Sequence, residues 1–358
     1  MKWSLCMIVR NEEEVLARCL ESAHGIADEL VLVDTGSSDH TKEIARRYTS
    51  RVLDYTWADD FAAARNFALD QAEGDYLFWL DADDVLPEES RQALIQLKQT
   101  LDPSVDVVML PYQVAFDPAG KPTFFYDRER IFRNSPQFRF VGRVHEVVPP
   151  SGKVIRREIP ILHKKIKPGD PDRNLRIFEK ILASHTPLDG RQQFYYGREL
   201  YFHTRYEEAE AVFQDFLRRT DSWTENRINA CHLRGLCLEL LNRPGEALSA
   251  FLESLQEGIP RAELCCDLGR CFLNRGDYPA AAFWYEQAAS RTPEPENGGF
   301  FEADCYGYIP QIQLCVCYDR MGYPDRAEIC NEKAAEFCPD SAAVAANRMY
   351  FQQKRQQG

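Results

Sequence analysis

Two rhythms of apolar residues divide the chain. Through about residue 165, short apolar runs alternate with stretches whose apolar positions recur every three or four residues. Trp3–Val9 predicts a strand, and Glu12–Ala23, with Val15, Leu16, Cys19 and Leu20 along one stripe, predicts a helix. Leu30–Val33 predicts a second strand, leading into Asp34. Thr41–Tyr48 predicts a second helix, Arg51–Leu53 a short strand, Phe61–Ala72 a third helix and Tyr76–Leu80 a further strand. Strands that alternate with helices are joined by crossovers, which implies an α/β fold with a mostly parallel, Rossmann-like sheet. Leu30–Val33 and Tyr76–Leu80 are apolar on both faces, as strands covered on both sides must be.

From about Asn174 the pattern is helical only, and it repeats. Gly235, Ala247 and Phe251 return 34 residues later as Gly269, Ala281 and Tyr285. Gly197, Ala209 and Phe213 form an earlier copy, offset by 38. Gly276, Ala281, Ala288 and Pro293 align with Gly322, Ala327, Ala334 and Pro339 at an offset of 46, the extra length falling in Glu294–Gly299. A small residue where paired helices approach, an aromatic one turn further, and a Gly or Pro between helices is the pattern of stacked helical hairpins. The period resembles tetratricopeptide repeats. Lys, Pro and Gly cluster between Lys164 and Asp172, so the expected domains are residues 1–168 and 169–358. The concave face of such repeats suits an extended peptide or protein, and the same surface can pair two copies into a homodimer.

Charge narrows the partners. The 358 residues carry 43 Lys+Arg against 56 Asp+Glu, a formal charge of −13, which argues against binding nucleic acid or an anionic membrane. No run approaches the roughly 20 apolar residues of a membrane span. Met1–Val9 turns charged at Arg10 too soon for a secretory signal, so the expectation is a cytoplasmic protein without a transmembrane segment. Ten of the 12 cysteines crowd between Cys231 and Cys338 with no Cys-x-x-Cys spacing. Set among Leu, Ala and Phe at helical intervals, they read as small core residues rather than a zinc or redox module.

The chemistry-bearing residues stand at the ends of the predicted strands. Asp81-Ala82-Asp83-Asp84 follows Tyr76–Leu80 directly. If the segment is extended, Asp81 and Asp83 share a face at the carboxyl end of a buried strand, where α/β sheets bind ligands. Carboxylates so close repel unless a cation holds them, and Mg²⁺ or Mn²⁺ with substrate phosphates suits them. Asp84, before Pro87-Glu88-Glu89, also reads as a helix cap. Asp34-Thr35-Gly36-Ser37-Ser38-Asp39 ends the second predicted strand; Asp34 can accept hydrogen bonds from a base or ribose, and Ser38 or Asp39 caps the next helix.

Taken in order, Val9-Arg10-Asn11-Glu12, Asp34-Thr35-Gly36-Ser37, Ala64-Arg65-Asn66 and Asp81-Ala82-Asp83 resemble the nucleotide-sugar domain of the family 2 glycosyltransferases, inverting enzymes with a GT-A fold. The resemblance covers about the first 165 residues, and Asp34-Thr35-Gly36-Ser37 departs slightly from the more common Asp-Gly-Ser. It implies that Val9, Asn11, Glu12 and Asp34 hold the nucleoside, with Ser37 and Ala82 in the same donor-contacting set. It puts Arg65 near the base and ribose or the phosphates, Asp81 near the ribose, and Asp83 on the metal that bridges the diphosphate. Joined to helical repeats, the arrangement is similar to bacterial enzymes that glycosylate peptides on Cys or Ser, including the S-glycosyltransferases of bacteriocins; enzymes of cell-surface glycan synthesis are the alternative. UDP is the expected carrier by family frequency.

Sugar transfer also needs a base for the acceptor. Val141-Gly142-Arg143-Val144-His145-Glu146 supplies two candidates in a predicted strand segment; the resemblance favours Glu146, with His145 orienting or assisting. His163, after the apolar run Ile159–Leu162, is a candidate further metal ligand, and Arg128, Arg130 and Arg133 either contact diphosphate or acceptor or form a solvated strand face. A nucleotidyltransferase with a related acidic site, and a repeat scaffold without catalysis, are the rival readings.

Overall fold

The apolar runs become β1 (Trp3–Val9), β2 (Glu29–Asp34), β3 (Val52–Asp54) and β4 (Tyr76–Trp79). The computed structural model describes residues 1–116, 120, 122–167, 169–294, 298–299 and 302–357. In it these strands are parallel neighbours in the order β3-β2-β1-β4. Val9 pairs with Asp34 and Cys6 with Trp79, so β1, β2 and β4 release their carboxyl ends along one edge.

Alternation along these strands builds two cores, one on each face of the sheet. Trp3, Leu5 and Met7 of β1 and Tyr76 and Phe78 of β4 pack with Leu16 and Leu20 of α1 (Leu16–Ser22) and Leu94 and Leu97 of α4 (Glu88–Thr100). Cys6, Leu77 and Trp79 face Ala62, Ala68 and Leu69 of α3 (Phe61–Asp70), together with Phe138 and Phe140. Between them in sequence, α2 (Thr41–Ala45) is a turn shorter than the pattern predicts.

The rest of the sheet adds antiparallel strands to a pairing that stays mostly parallel, as expected. β6 (Val107–Phe116) and β7 (Pro122–Arg133) form a long antiparallel pair, and β7 also lies antiparallel to β4. β8 (Val154–Arg156) and β9 (Ile161–His163) run parallel to β6 on its other side, and β5 (Asp84–Val85) closes antiparallel on β9. The sheet is mixed because neighbouring antiparallel strands need no crossover helix, so the chain after α4 adds strands without the alternating rhythm.

Residues 1–188 and 189–358 form two compact units. The division falls beyond the 168/169 boundary expected, so α5 (Arg173–Ala183) belongs to the first unit. The second unit opens with α6 (Gly190–Phe202), α7 (Tyr206–Leu217), α8 (Thr224–Leu240) and α9 (Pro244–Glu253). It continues with α10 (Ala262–Asn274), α11 (Tyr278–Ala289), α12 (Tyr308–Arg320), α13 (Pro324–Phe337) and α14 (Ala342–Gln357). The repeated small and aromatic positions meet as the spacing demands. A Cβ on Gly197 would lie 2.7 Å from the Phe213 ring and one on Gly269 2.8 Å from that of Tyr285; at Gly235 it would overlap Phe251. The last hairpin uses a polar version, in which the Asn347 amide donates to Asn331 Oδ1 at 3.0 Å and to Cys315 Sγ at 3.6 Å. All 12 cysteines are free thiols, and only Cys338 is more than marginally exposed. No helix among the described residues is long and apolar enough to cross a membrane.

Candidate active site

Asp34 leaves β2 only 2% exposed. Its Oδ1 accepts the backbone N–H groups of Gly36 at 3.0 Å and Ser37 at 2.9 Å, a turn that Gly36 makes with φ +104°. Its Oδ2 is buried and has no hydrogen-bond partner among the described residues. Leaving such an oxygen unmatched costs about 1–3 kcal/mol, which a ligand donor at the strand end would recover. Beside it the loop after β1 turns at Asn11, φ +55°. The Asn11 N–H donates to Ser37 Oγ at 2.9 Å, and Asn11 Oδ1 accepts the Ser38 N–H at 2.8 Å, so these two expected donor contacts lock the loops together. Glu12 is tied through its N–H to Thr41 Oγ1 at 2.7 Å. Neither Ser38 nor Asp39 caps the helix, whose N-cap is His40; Asp39 Oδ1 accepts the Thr41 N–H at 3.0 Å as a local turn. Val9 is buried behind them.

The acidic motif is a turn, not an extended segment. The Asp84 N–H donates to the Asp81 carbonyl at 3.0 Å, and the Asp81 N–H donates back to Asp84 Oδ2 at 2.9 Å. The carboxylates therefore do not share a face: Asp81 joins Arg65 and Glu146, whereas Asp83 joins His163. Arg65, buried on α3, donates from Nη2 to Asp81 Oδ1 at 2.6 Å and from Nε to Glu146 Oε1 at 2.7 Å. Its guanidinium also stacks 4.6 Å from the Trp79 ring. Burial alone would raise the Asp81 carboxyl, but the charge of Arg65 and then Arg130 holds it at about 2. Ala82 is buried within the turn.

Glu146 lies in a loop rather than the strand expected for Val141–Glu146. One bridge, Val141 with Val147, closes the loop, and Gly142 (φ +91°) and His145 (φ +52°) turn it. The Glu146 carbonyl accepts Arg128 Nη2 at 3.1 Å, which anchors the loop to β7.

On the other side of the turn, the Lys164 N–H donates to the Asp83 carbonyl at 2.9 Å and continues the β5–β9 pairing. His163 Nδ1 consequently lies 3.5 Å from Asp83 Oδ1 and 3.8 Å from Asp84 Oδ1. Asp84 is not the helix cap expected; α4 starts after Pro87, and Asp84 is fully buried. Its Oδ2 accepts Arg130 Nη1 at 2.9 Å and its Oδ1 the Tyr112 hydroxyl at 2.8 Å. With both Asp84 oxygens committed, Asp83 and His163 are the half-buried pair able to hold a divalent cation; the carboxylate suits Mg²⁺ or Mn²⁺, and the imidazole suits a transition metal.

The local charge agrees. Burial, then the charges of Asp83 and Asp81, push the Glu12 carboxyl up to about 7. Burial opposes a charge on His163, yet hydrogen bonds and charge from Asp83 and Asp84 raise it to about 9. Arg130 is wholly buried, its guanidinium 3.9 Å from the Trp79 ring and 4.3 Å from that of Tyr112, which overturns a solvated strand face at that position. Tyr112 was not legible as a site residue; the apolar run Val107–Leu110 before it was the available signal.

Residues 4–160 match the model of Glycosyl transferase family 2, and residues 262–295 match the Tetratricopeptide repeat. The first unit is thus similar to family 2 glycosyltransferases, and part of the second is similar to a tetratricopeptide repeat. Over 298 residues it is 41% identical to a TPR repeat-containing protein of Synechococcus elongatus, covering 81% of this chain and 66% of that one. It is 26% identical over 278 residues to the SPbeta prophage-derived glycosyltransferase SunS of Bacillus subtilis, covering 73% and 64%. The lipopolysaccharide core biosynthesis glycosyltransferase LpsC of Rhizobium meliloti is 31% identical over 161 residues, 42% of this chain and 58% of that one. The chain spans slightly under two thirds of the length of the first two relatives.

Proposed function

We propose that the protein transfers a sugar from a nucleotide-diphospho-sugar, UDP-linked, to an acceptor engaged by the repeats, with inversion at the anomeric carbon. The observation that carries this reading is the buried, unmatched Asp34 Oδ2 at the sheet edge where Asp81 and Asp83 also emerge. Asp34 Oδ2 accepts an N–H or O–H of the nucleoside, and Asp81 faces the ribose. A divalent cation on Asp83 and His163 supplies the charge that stabilises a departing diphosphate. Glu146 takes the acceptor proton as the acceptor atom bonds to the sugar carbon and the bond from that carbon to the diphosphate oxygen breaks. Arg65 fixes Glu146 and Asp81 with one rigid guanidinium fork.

The acceptor in this reading is a peptide Cys or Ser. The repeats support it, because stacked hairpins bind extended chains. The 12 free thiols suit the reducing cytoplasm as its place of action.

A panel of sugar nucleotides incubated with Mn²⁺ tests the reading. Release of nucleoside diphosphate by the unaltered chain, and its loss in Asp83→Ala, is the expected result. Pyrophosphate release would assign nucleotidyl transfer instead. If no nucleoside diphosphate with Mn²⁺ raises the melting temperature, the donor site is wrong.

A further inference from the structure

We propose that Tyr112 is a positioning residue for the metal site: its hydroxyl, braced by the Asp84–Arg130 pair, holds His163 with the proton on Nδ1, which leaves Nε2 as the ring atom that can take a divalent cation. The inference rests on the reading that Asp83 and His163 hold that cation.

The assignment follows from counting protons. The Tyr112 oxygen lies 2.8 Å from Asp84 Oδ1 and 2.8 Å from His163 Nδ1, yet a phenol has one proton to give. Asp84 has none: it is fully buried, paired to Arg130 Nη1 at 2.9 Å, and accepts the Asp81 N–H. Tyr112 therefore donates to Asp84, and its lone pair accepts the Nδ1–H of His163. Once a cation displaces the Nε2 proton, the ring carries its lone pair on Nε2.

The sheet gives this chain of bonds little freedom. Tyr112 on β6 pairs with Ile161 on β9, two residues before His163, and Asp84 on β5 pairs with His163 itself. Behind them Arg130 is held between the Trp79 and Tyr112 rings. Its Nε and Nη2 have no hydrogen-bond partner among the described residues, so its charge is met by Asp84, the Trp79 carbonyl and the two aromatic faces.

Groups that orient a metal-bound histidine typically change metal affinity by about ten- to a hundredfold. Mn²⁺ binding to the full chain with UDP, read by the paramagnetic resonance of free Mn²⁺, tests the proposal. Tyr112→Phe should weaken binding at least about tenfold, His163→Ala should weaken it comparably, and the double variant should be no worse than His163→Ala. Unchanged or tighter binding in Tyr112→Phe, or losses that add in the double variant, would overturn the proposal while leaving the donor reading standing. A chain that binds no Mn²⁺ with UDP would remove both. Should Tyr112→Phe fold poorly, ¹⁵N spectra of the unaltered chain with Mg²⁺ and UDP decide: a protonated Nδ1 on His163 supports the assignment, and a protonated Nε2 overturns it.

Discussion

Replacing Arg65 with methionine keeps much of the side-chain volume but removes a cation that touches both Asp81 and Glu146. The Asp81 carboxyl sits at about 2 in the fold against an ordinary 3.8, a difference worth about 2 kcal/mol once its partial exposure is allowed for. Glu146, nearly buried, loses its partner at a further cost of about 1–3 kcal/mol. The sum, about 3–5 kcal/mol, is the usual cost of breaking a buried ion pair. For a unit of this size it lowers the melting temperature by roughly 6–20 °C. The sign of the pH dependence is also fixed. A depressed carboxyl stabilises the fold above its unfolded pKa, and that contribution is lost as pH falls through about 2. The deficit of the variant should therefore be largest at neutral pH and narrow by about 1 kcal/mol at pH 3. Urea unfolding of both chains at the two pH values is the assay. A deficit below about 1 kcal/mol at pH 7, or one that does not shrink at pH 3, would refute the bridging role.

In the repeats, Gly235→Ala drives a Cβ into the Phe251 ring and should cost about 1–3 kcal/mol, whereas Gly245→Ala, open on α9, should be neutral or gain up to about 1 kcal/mol. Thermal melts of the pair separate packing from helix propensity. His232 is lifted to about 9, because Asp267 outweighs the burial that would lower it. A raised folded pKa stabilises fully below 6.5 and is lost as pH climbs through 9, so the repeats should weaken by about 2–3 kcal/mol over that window, and His232→Gln should flatten the profile. Glu146→Gln should still bind donor but lose transfer by about 10²–10⁴-fold. Retained transfer there, with loss in His145→Gln, would move the base to His145.

The strands that carry Asp34 and Asp81 were legible because Leu30–Val33 and Tyr76–Leu80 are apolar on both faces, and only central strands tolerate that. The repeats were legible because Gly235 and Phe251, or Gly269 and Tyr285, must touch for two helices to close. β6 was not, since Pro111 interrupts its run and the register shifts at Val108/Met109 and Gln113/Ala115. With β6 unseen, Tyr112 had no place in the site, and Arg130, charged and wholly buried, contradicts what its residue type suggests. The turn at Asp81–Asp84 escaped because its two closing bonds, one to a backbone carbonyl and one to a side chain, depend on β5 meeting β9 far along the chain.

The thiols of the repeats make the helical unit its own reporter. Nine of the ten cysteines from Cys231 onward are buried, and Cys338 alone is partly open to reagent. Each buried sulfur can be alkylated only after its helices part, so mass-resolved pulse labelling times the opening of α8, α10, α12 and α13 separately. No probe has to be engineered: α8, α10 and α12 each carry two or three cysteines, and α13 carries Cys330. An acceptor that settles on the stack would slow some of these clocks and spare others, and the slowed ones would mark where it lies.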